Sequence, residues 1–209
     1  MEEKSAVMVG RPRGFDRDVA LQTALELFWR HGYEGVSISD LTKAMGIAPP
    51  SLYGAFGSKA ALYREALKLY QQRPTAVAIG AFQQDGPIRE RVDALLRNTV
   101  RATTNPDHPA GCMITTGLLF CGSDIAELAD TIAQLRAARC TAITARLQRA
   151  IDAGELPAGS GASGMARYLC AVMQGIAIQA RDGASAEQLH AIVDVTMQNW
   201  GGLQDAVTN

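Results

Sequence analysis

The stretch Ser37 to Lys59, SISDLTKAMGIAPPSLYGAFGSK, constrains the fold of this chain more than any other. Ile38, Leu41 and Met45 recur at helical spacing, and Leu52 with Phe56 forms the apolar edge of a second short helix. Gly46 suits the left-handed backbone of a tight turn between them. Ser37 or Ser39 is expected to cap the first helix, where Asp40 complements the positive end. Pro49 and Pro50 are excluded from a helix interior but fit a first turn, so the second helix starts there. Such a pair buries one face and offers the other, here Ser51, Tyr53, Gly54 and Ala55.

The flanks support the pair. Asp16 is expected to cap a helix reaching about His31, with Leu21, Ala24, Leu25 and Phe28 on one face and Gly32 as its stop. Ser58 opens another helix to about Gln72 with Leu62, Ala66, Leu69 and Tyr70. Upstream, Gly10-Arg11-Pro12-Arg13-Gly14 holds two arginines on an extended, unencumbered backbone. That form suits the DNA minor groove, whose negative potential draws in arginine; a solvated basic tail is the alternative. The whole chain has a net charge of -1, yet Gly10 to Arg73 holds nine Lys and Arg against six Asp and Glu, a balance of +3. That sign is the one phosphate binding requires.

Beyond Pro74 and the polar QQDGP segment the helical period resumes. It runs from Ile88 to about Thr103, and again from Asp124 to about Ala153 after a short apolar stretch, CMITTGLLFCG. GELPAGSGASG reads as a loop. Two further helices carry Met165, Leu169, Val172 and Ile176, then Leu189, Ile192, Val193, Thr196, Met197 and Trp200. Small residues Ala166, Ala171, Gly175 and Ala177 let another helix approach, so these two are expected to pair with their symmetry mates in a four-helix bundle; closing the monomer core is the alternative. With 20% charged residues and no alternating β-branched runs, the 209 residues are expected to fold as an all-α protein.

The residues Gly32-Tyr33, Ser37-Ile38-Ser39-Asp40-Leu41, Ala44-Met45-Gly46-Ile47, Leu52-Tyr53, Phe56 and Ser58-Lys59-Ala60-Ala61-Leu62 resemble the tetracycline-repressor (TetR/AcrR) family of bacterial transcriptional regulators. The match covers about residues 13 to 72; beyond it only the helical layout agrees. The resemblance implies a flexible basic arm over 1–12, a three-helix helix-turn-helix DNA-binding domain over 13–73, and a helical ligand-binding and dimerisation domain over 74–209. It also implies that Tyr53 and Lys59 hold phosphates and that Ser37 and Thr42 anchor the supporting helix to the DNA backbone. Lys59 is independently a cation at a helix start, where amides already favour an anion. Between Ala48 and Lys59 there is no Arg, Asn or Gln, so direct base reading would rest on Ser51, Tyr53, Gly54 and apolar contacts from Pro49 and Pro50. Arg11 and Arg13 then carry more of the recognition.

Partners implied are double-stranded operator DNA, a small-molecule effector and a second copy of the chain through the last two helices. Effector candidates are Cys112, Met113, Thr116, Phe120, Cys121, Leu135, Arg139, Tyr168, Val172 and Gln179, where polar groups on apolar faces would orient a mostly apolar molecule. Cys112 and Cys121 raise an alternative, a sensor of oxidants or electrophiles, although no Lys, Arg or His lies between them to lower a thiol pKa. No hydrolase, metalloprotease, P-loop or dinucleotide motif is present, His31, His108 and His190 lack ligand spacing, and the cysteines lack CxxC pairing. The chain is therefore expected to be no enzyme and to need no cofactor or metal. No stretch approaches the roughly 20 apolar residues of a membrane span, and a cytoplasmic location is expected.

Overall fold

The computed structural model describes residues 15–73, 79–119, 122 and 125–205. Four helices come first: α1 (Arg17–His31), α2 (Ile38–Met45), α3 (Pro49–Phe56) and α4 (Lys59–Gln71). Asp16 caps α1 by accepting from the Asp18 and Val19 amides, and Gly32 ends it at φ 74°. Ser37, not Ser39, caps α2. Gly46 closes α2 in the left-handed region at φ 66°, as the tight turn to α3 demands. α1 packs along α4 and braces α2, and the packed face of α1 is Ala24, Leu25, Phe28 and Trp29.

The later helices are α5 (Ile88–Thr104), the single turn α6 (Met113–Thr116), α7 (Ala126–Asp152), α8 (Ala162–Arg181), α9 (Ala186–Gln198) and the short α10 (Trp200–Asp205). Residues 79–82 are also helical, and the described residues contain no strand. α7, at 27 residues about 40 Å long, runs along α8, while α5 lies against both α8 and α9. The N-cap of α5 is Pro87, which has no side chain able to accept a hydrogen bond; Glu155, after α7, supplies an acceptor to the Ile88 amide at 2.8 Å. Arg97 on α5 ties to Asp93 at 2.9 Å and to Asp194 on α9 at 2.8 Å.

Two apolar clusters hold the molecule. The second lies among α5, α7, α8 and α9, and Trp200, beyond the end of α9 at Asn199, closes it. The first begins in the head but does not end there. Tyr63, Leu67 and Tyr70 of α4 share it with Cys112, Met113, Ile114, Leu118, Leu128, Ile132 and Ala177. Helical spacing marked Leu62, Ala66 and Leu69, with Tyr70, as the buried stripe of α4; Tyr63 and Leu67 are buried as well, and Leu69 is only partly covered. The later helices supply the surface that this wider stripe packs against.

Candidate nucleic-acid interface and adjoining cavity

Leu52 and Phe56 are buried at 0% and 4% exposure, which fixes the roll of α3. Pro49, Pro50, Ser51, Tyr53 and Gly54 consequently lie exposed on one face, with Tyr53 at 48%. Gly54 leaves open space, since nothing lies within 4 Å of where a Cβ would be. Arg17 secures this face from behind. Its guanidinium lies 4.5 Å from the Phe56 ring centroid, donates to the Ala55 carbonyl at 3.4 Å and pairs with Glu65 at 2.7 Å.

The other head residues are placed differently from one another. Lys59 opens α4 with its ammonium 4.1 Å over the Tyr33 ring, and burial lowers its pKa. Ser37 is exposed, but its hydroxyl donates to Asp40 at 2.6 Å and accepts from the Asp40 amide at 3.1 Å. This reciprocal box holds the Asp40 carboxyl below the usual carboxylate range. Thr42 is buried at 7% exposure and its hydroxyl donates to the Ile38 carbonyl at 2.9 Å. In this arrangement α2 can meet a phosphate through the exposed rim at Ser37, whereas Thr42 acts inside the helix. Arg11 and Arg13 lie outside the described residues.

A cavity of about 40 Å³ lies where α4 meets the later helices. Tyr70 borders it from α4, Thr99 and Thr103 from α5, Cys112 and Thr115 around α6, Arg139 from α7, and Met173 and Ala177 from α8. The Tyr70 hydroxyl donates to the Cys112 sulfur at 3.2 Å. Burial pushes the Cys112 thiol up, but the Arg139 charge and hydrogen bonds with Thr115 and Tyr70 outweigh it and hold the pKa below the ordinary thiol value. Tyr70 is raised well above its ordinary value, first by burial and then by the charge of Cys112. No described residue pairs an acidic side chain with Arg139.

The cavity connects to the head through aromatic rings. Tyr70 meets Trp29 of α1 edge-on at 4.8 Å, and His108 stacks on the same indole at 4.8 Å. Arg181 at the end of α8 donates to the carbonyls of Trp29 and Arg30 at 3.2 and 2.9 Å, covering the C-terminal end of α1. Gly111 makes the close approach possible: at φ 86°, a Cβ there would stand 2.9 Å from the Ala177 carbonyl.

Comparison with known proteins decides the family. The family described as bacterial regulatory proteins, tetR family, matches residues 20–66, and the tetracyclin repressor-like C-terminal domain matches residues 89–197. The chain belongs to the tetR family. The HTH-type transcriptional repressor ComR of Escherichia coli K12 is 33% identical over 192 residues, 91% of each chain. BdcR, an HTH-type transcriptional repressor of the same strain, is 31% identical over 189 residues, covering 90% of this chain and 91% of its own. Among solved structures, a cysteine mutant of the TetR family regulator CifR, complexed with 26-bp double-strand operator DNA, superposes at a TM-score of 0.85 with 37% identity, covering 91% of this chain and 100% of that one. This tetR-family chain is a DNA-binding transcriptional regulator of the repressor type, not an enzyme.

In this tetR-family chain Ser51, Tyr53 and Gly54 are exposed on α3 as the sequence spacing expected, whereas Ala55 is partly buried against the first apolar cluster. The effector candidates are scattered. Cys112 and Arg139 border the cavity; Met113, Leu135 and Val172 lie in or against the apolar clusters without bordering it, and Thr116 is partly buried with its hydroxyl donating to the Cys112 carbonyl at 3.2 Å. Tyr168 and Gln179 face outward on α8, and Phe120 and Cys121 lie outside the described residues. Sequence reasoning did not assign Tyr70, Thr99, Thr103, Thr115, Met173 or Ala177 to an effector site. An available signal was the four-residue spacing of Thr99 and Thr103 on the buried face of α5, with Thr115 in α6. Among the described residues, no group of three or more potential metal ligands forms, and no helix is long and apolar enough to cross a membrane.

Proposed function

We infer that this protein is a homodimeric repressor that binds double-stranded operator DNA through the exposed face of α3 and is released by a small effector. In this reading residues 1–12 are a basic arm, 13–73 the DNA-binding domain, and 74–209 the effector and dimerisation domain. The observation that carries it is the junction: the cavity borders Tyr70 on α4, which leads directly back to α3, and Tyr70 touches Trp29 on α1. An effector that prefers one setting of α4 biases the head by its differential affinity for the two settings. Two heads must present their α3 helices about 34–36 Å apart to enter successive major grooves, so a shift of a few ångströms suffices. Apolar Tyr168, Ile178 and Val195, exposed at 37%, 42% and 57% on α8 and α9, support a dimer through these helices.

Thermal-shift screening against a diverse small-molecule set, followed by a gel-shift assay on the promoter beside the gene, tests the reading. The best stabiliser is expected to weaken operator binding; stabilisation with operator binding unaltered would refute effector release.

The second reading, a thiol-based sensor of oxidants or electrophiles using Cys112 or Cys121, is favoured by a specific observation at Cys112. Its sulfur borders the cavity, accepts a hydrogen bond from Tyr70 and faces the charge of Arg139. A cavity of about 40 Å³ suits a compact reactive molecule better than a bulky ligand, since drug-sized sites run to several hundred Å³. Iodoacetamide is expected to modify Cys112 faster than Cys170 at neutral pH, and Arg139→Met to slow that modification by raising the thiol pKa. Alkylation that leaves operator binding unchanged would remove this sensing role.

A further inference from the structure

Arg139, half-buried on α7, is the only charged residue among the described lining of the cavity. Among the described residues it has no carboxylate partner and donates no hydrogen bond. Other arginines of the later helices are committed within the fold. Arg97 pairs with Asp93 and Asp194, Arg136 donates to the carbonyls of Ile114 and Gly117, Arg146 donates to that of Gly86, and Arg181 covers the end of α1. Arg101 and Arg167, likewise without a partner, are exposed to solvent. A guanidinium carries five N–H donors in a planar fork, and leaving them unmet beside apolar walls costs free energy that an anion recovers.

The remaining lining narrows the class of guest. The Thr99 hydroxyl donates to the Leu95 carbonyl at 2.9 Å, Thr103 to the Thr99 carbonyl at 2.8 Å and Tyr70 to the Cys112 sulfur at 3.2 Å. Thr115 is engaged with Cys112 as well. Arg139 is therefore the side chain whose donors are available. Ile79, Ala102, Ile114 and Met173 make the other walls apolar. At roughly 10–15 Å³ for each water-sized group, the cavity of about 40 Å³ admits about three to four such groups. One cation, apolar walls and that size together fit a short alkyl chain ending in a single negative charge. A carboxylate matches the guanidinium fork through two parallel hydrogen bonds, whereas a phosphate brings more charge than one arginine meets.

We propose that the cavity binds a short-chain monocarboxylate of the size of propionate, with its carboxylate on the Arg139 guanidinium and its alkyl end against the apolar walls. The assignment rests on the reading of the cavity as the effector site, and it names the class of effector. The bound carboxylate neutralises the charge that faces Cys112 and fills the space beside its sulfur, so it protects that thiol from alkylation. Because Tyr70 donates to the same sulfur, the guest, Cys112 and α4 are contiguous.

The test uses the full chain with sodium acetate, propionate or butyrate at constant ionic strength, and propionamide as the uncharged control. Propionate is expected to raise the melting temperature in a saturable manner and to slow iodoacetamide alkylation of Cys112 several-fold, followed by mass spectrometry; propionamide is expected to do neither. Each variant is compared with its own rate in the absence of carboxylate. Arg139→Met is expected to lose the protection, and Arg139→Lys, which keeps the charge, to retain part of it. Equal effects of propionamide, no effect of any of the three carboxylates, or effects undiminished in Arg139→Met would overturn the proposal. Binding to the promoter fragment beside the gene, measured by fluorescence anisotropy, separates the two readings. Protection by propionate with promoter binding unaltered supports the carboxylate site and refutes effector release. Release by another small molecule, with no effect of the carboxylates, overturns the carboxylate site and upholds effector release.

Discussion

Leu52 and Tyr53 are adjacent in sequence and opposite in role. A helix turns about 100° per residue, so burying Leu52 at 0% exposure sends Tyr53 outward at 48%. Tyr53→Phe removes only an exposed hydroxyl and is expected to leave the melting temperature unchanged while weakening operator binding several-fold; equal binding in fluorescence anisotropy would exclude a phosphate contact. His108 bears on stability. Burial first, then the charge of Arg73, holds its pKa below the ordinary 6.5, with Asp107 and Glu26 opposing. Below about pH 6.5 the unfolded chain therefore binds the proton more readily than the folded one. Stability falls as pH drops through that value, and the loss stops growing once the folded pKa is passed. Thermal unfolding between pH 7 and 5 is expected to show a smaller acid-side decline for His108→Gln than for the parent protein.

At the scale of elements, α3 is short, starts with two prolines and has no side-chain cap, so its position depends on what packs behind it. Arg17 supplies much of that support through Phe56, Ala55 and Glu65. Arg17→Met should loosen α3 without touching the exposed face. We expect a loss of about 1–3 kcal/mol, because Glu65 is left partly buried and unpaired; denaturant unfolding measures it. The exposed face of α3 also lacks Arg, Asn and Gln, so operator recognition through it would depend on a second element. Removing residues 1–13 is expected to cut operator affinity sharply and lower the salt slope by about two, one for each of Arg11 and Arg13. An unchanged slope in a salt titration would eliminate the arm's role.

At the scale of the whole molecule, the first apolar cluster crosses from the head into the later helices, so the head is not an independent unit suspended on a linker. Cys112, Tyr70, Trp29, His108 and Arg181 form a continuous path from the cavity to the end of α1. The proposed dimer belongs to this scale too. Ile178→Glu combined with Val195→Glu places charge on the exposed apolar face of α8 and α9 and should yield a helical monomer that no longer binds operator DNA. Sedimentation with circular dichroism checks both halves of that outcome, and a stable dimer would move the interface elsewhere.

The sequence by itself determined the helices of the head, because their signals are local. Asp16, Ser37 and Ser58 cap, Gly32 and Gly46 stop, and the spacing of Leu52 and Phe56 sets which face of α3 is offered. It also marked the later helices, whose apolar periods are long, and singled out Cys112 and Arg139. The tertiary structure alone decided what surrounds those two residues. Tyr70, Thr103 and Met173 come from three helices widely separated along the chain, and no periodicity within one helix states which turn of another will face it. Tyr168 and Gln179 show the converse, since a polar or aromatic residue near an apolar stripe lies inside or outside according to the roll of α8, which its packing against α5 and α7 sets. The lowered pKa of Cys112 has the same origin: the cation that offsets its burial is Arg139, remote in sequence and brought close only when α7 packs over α6.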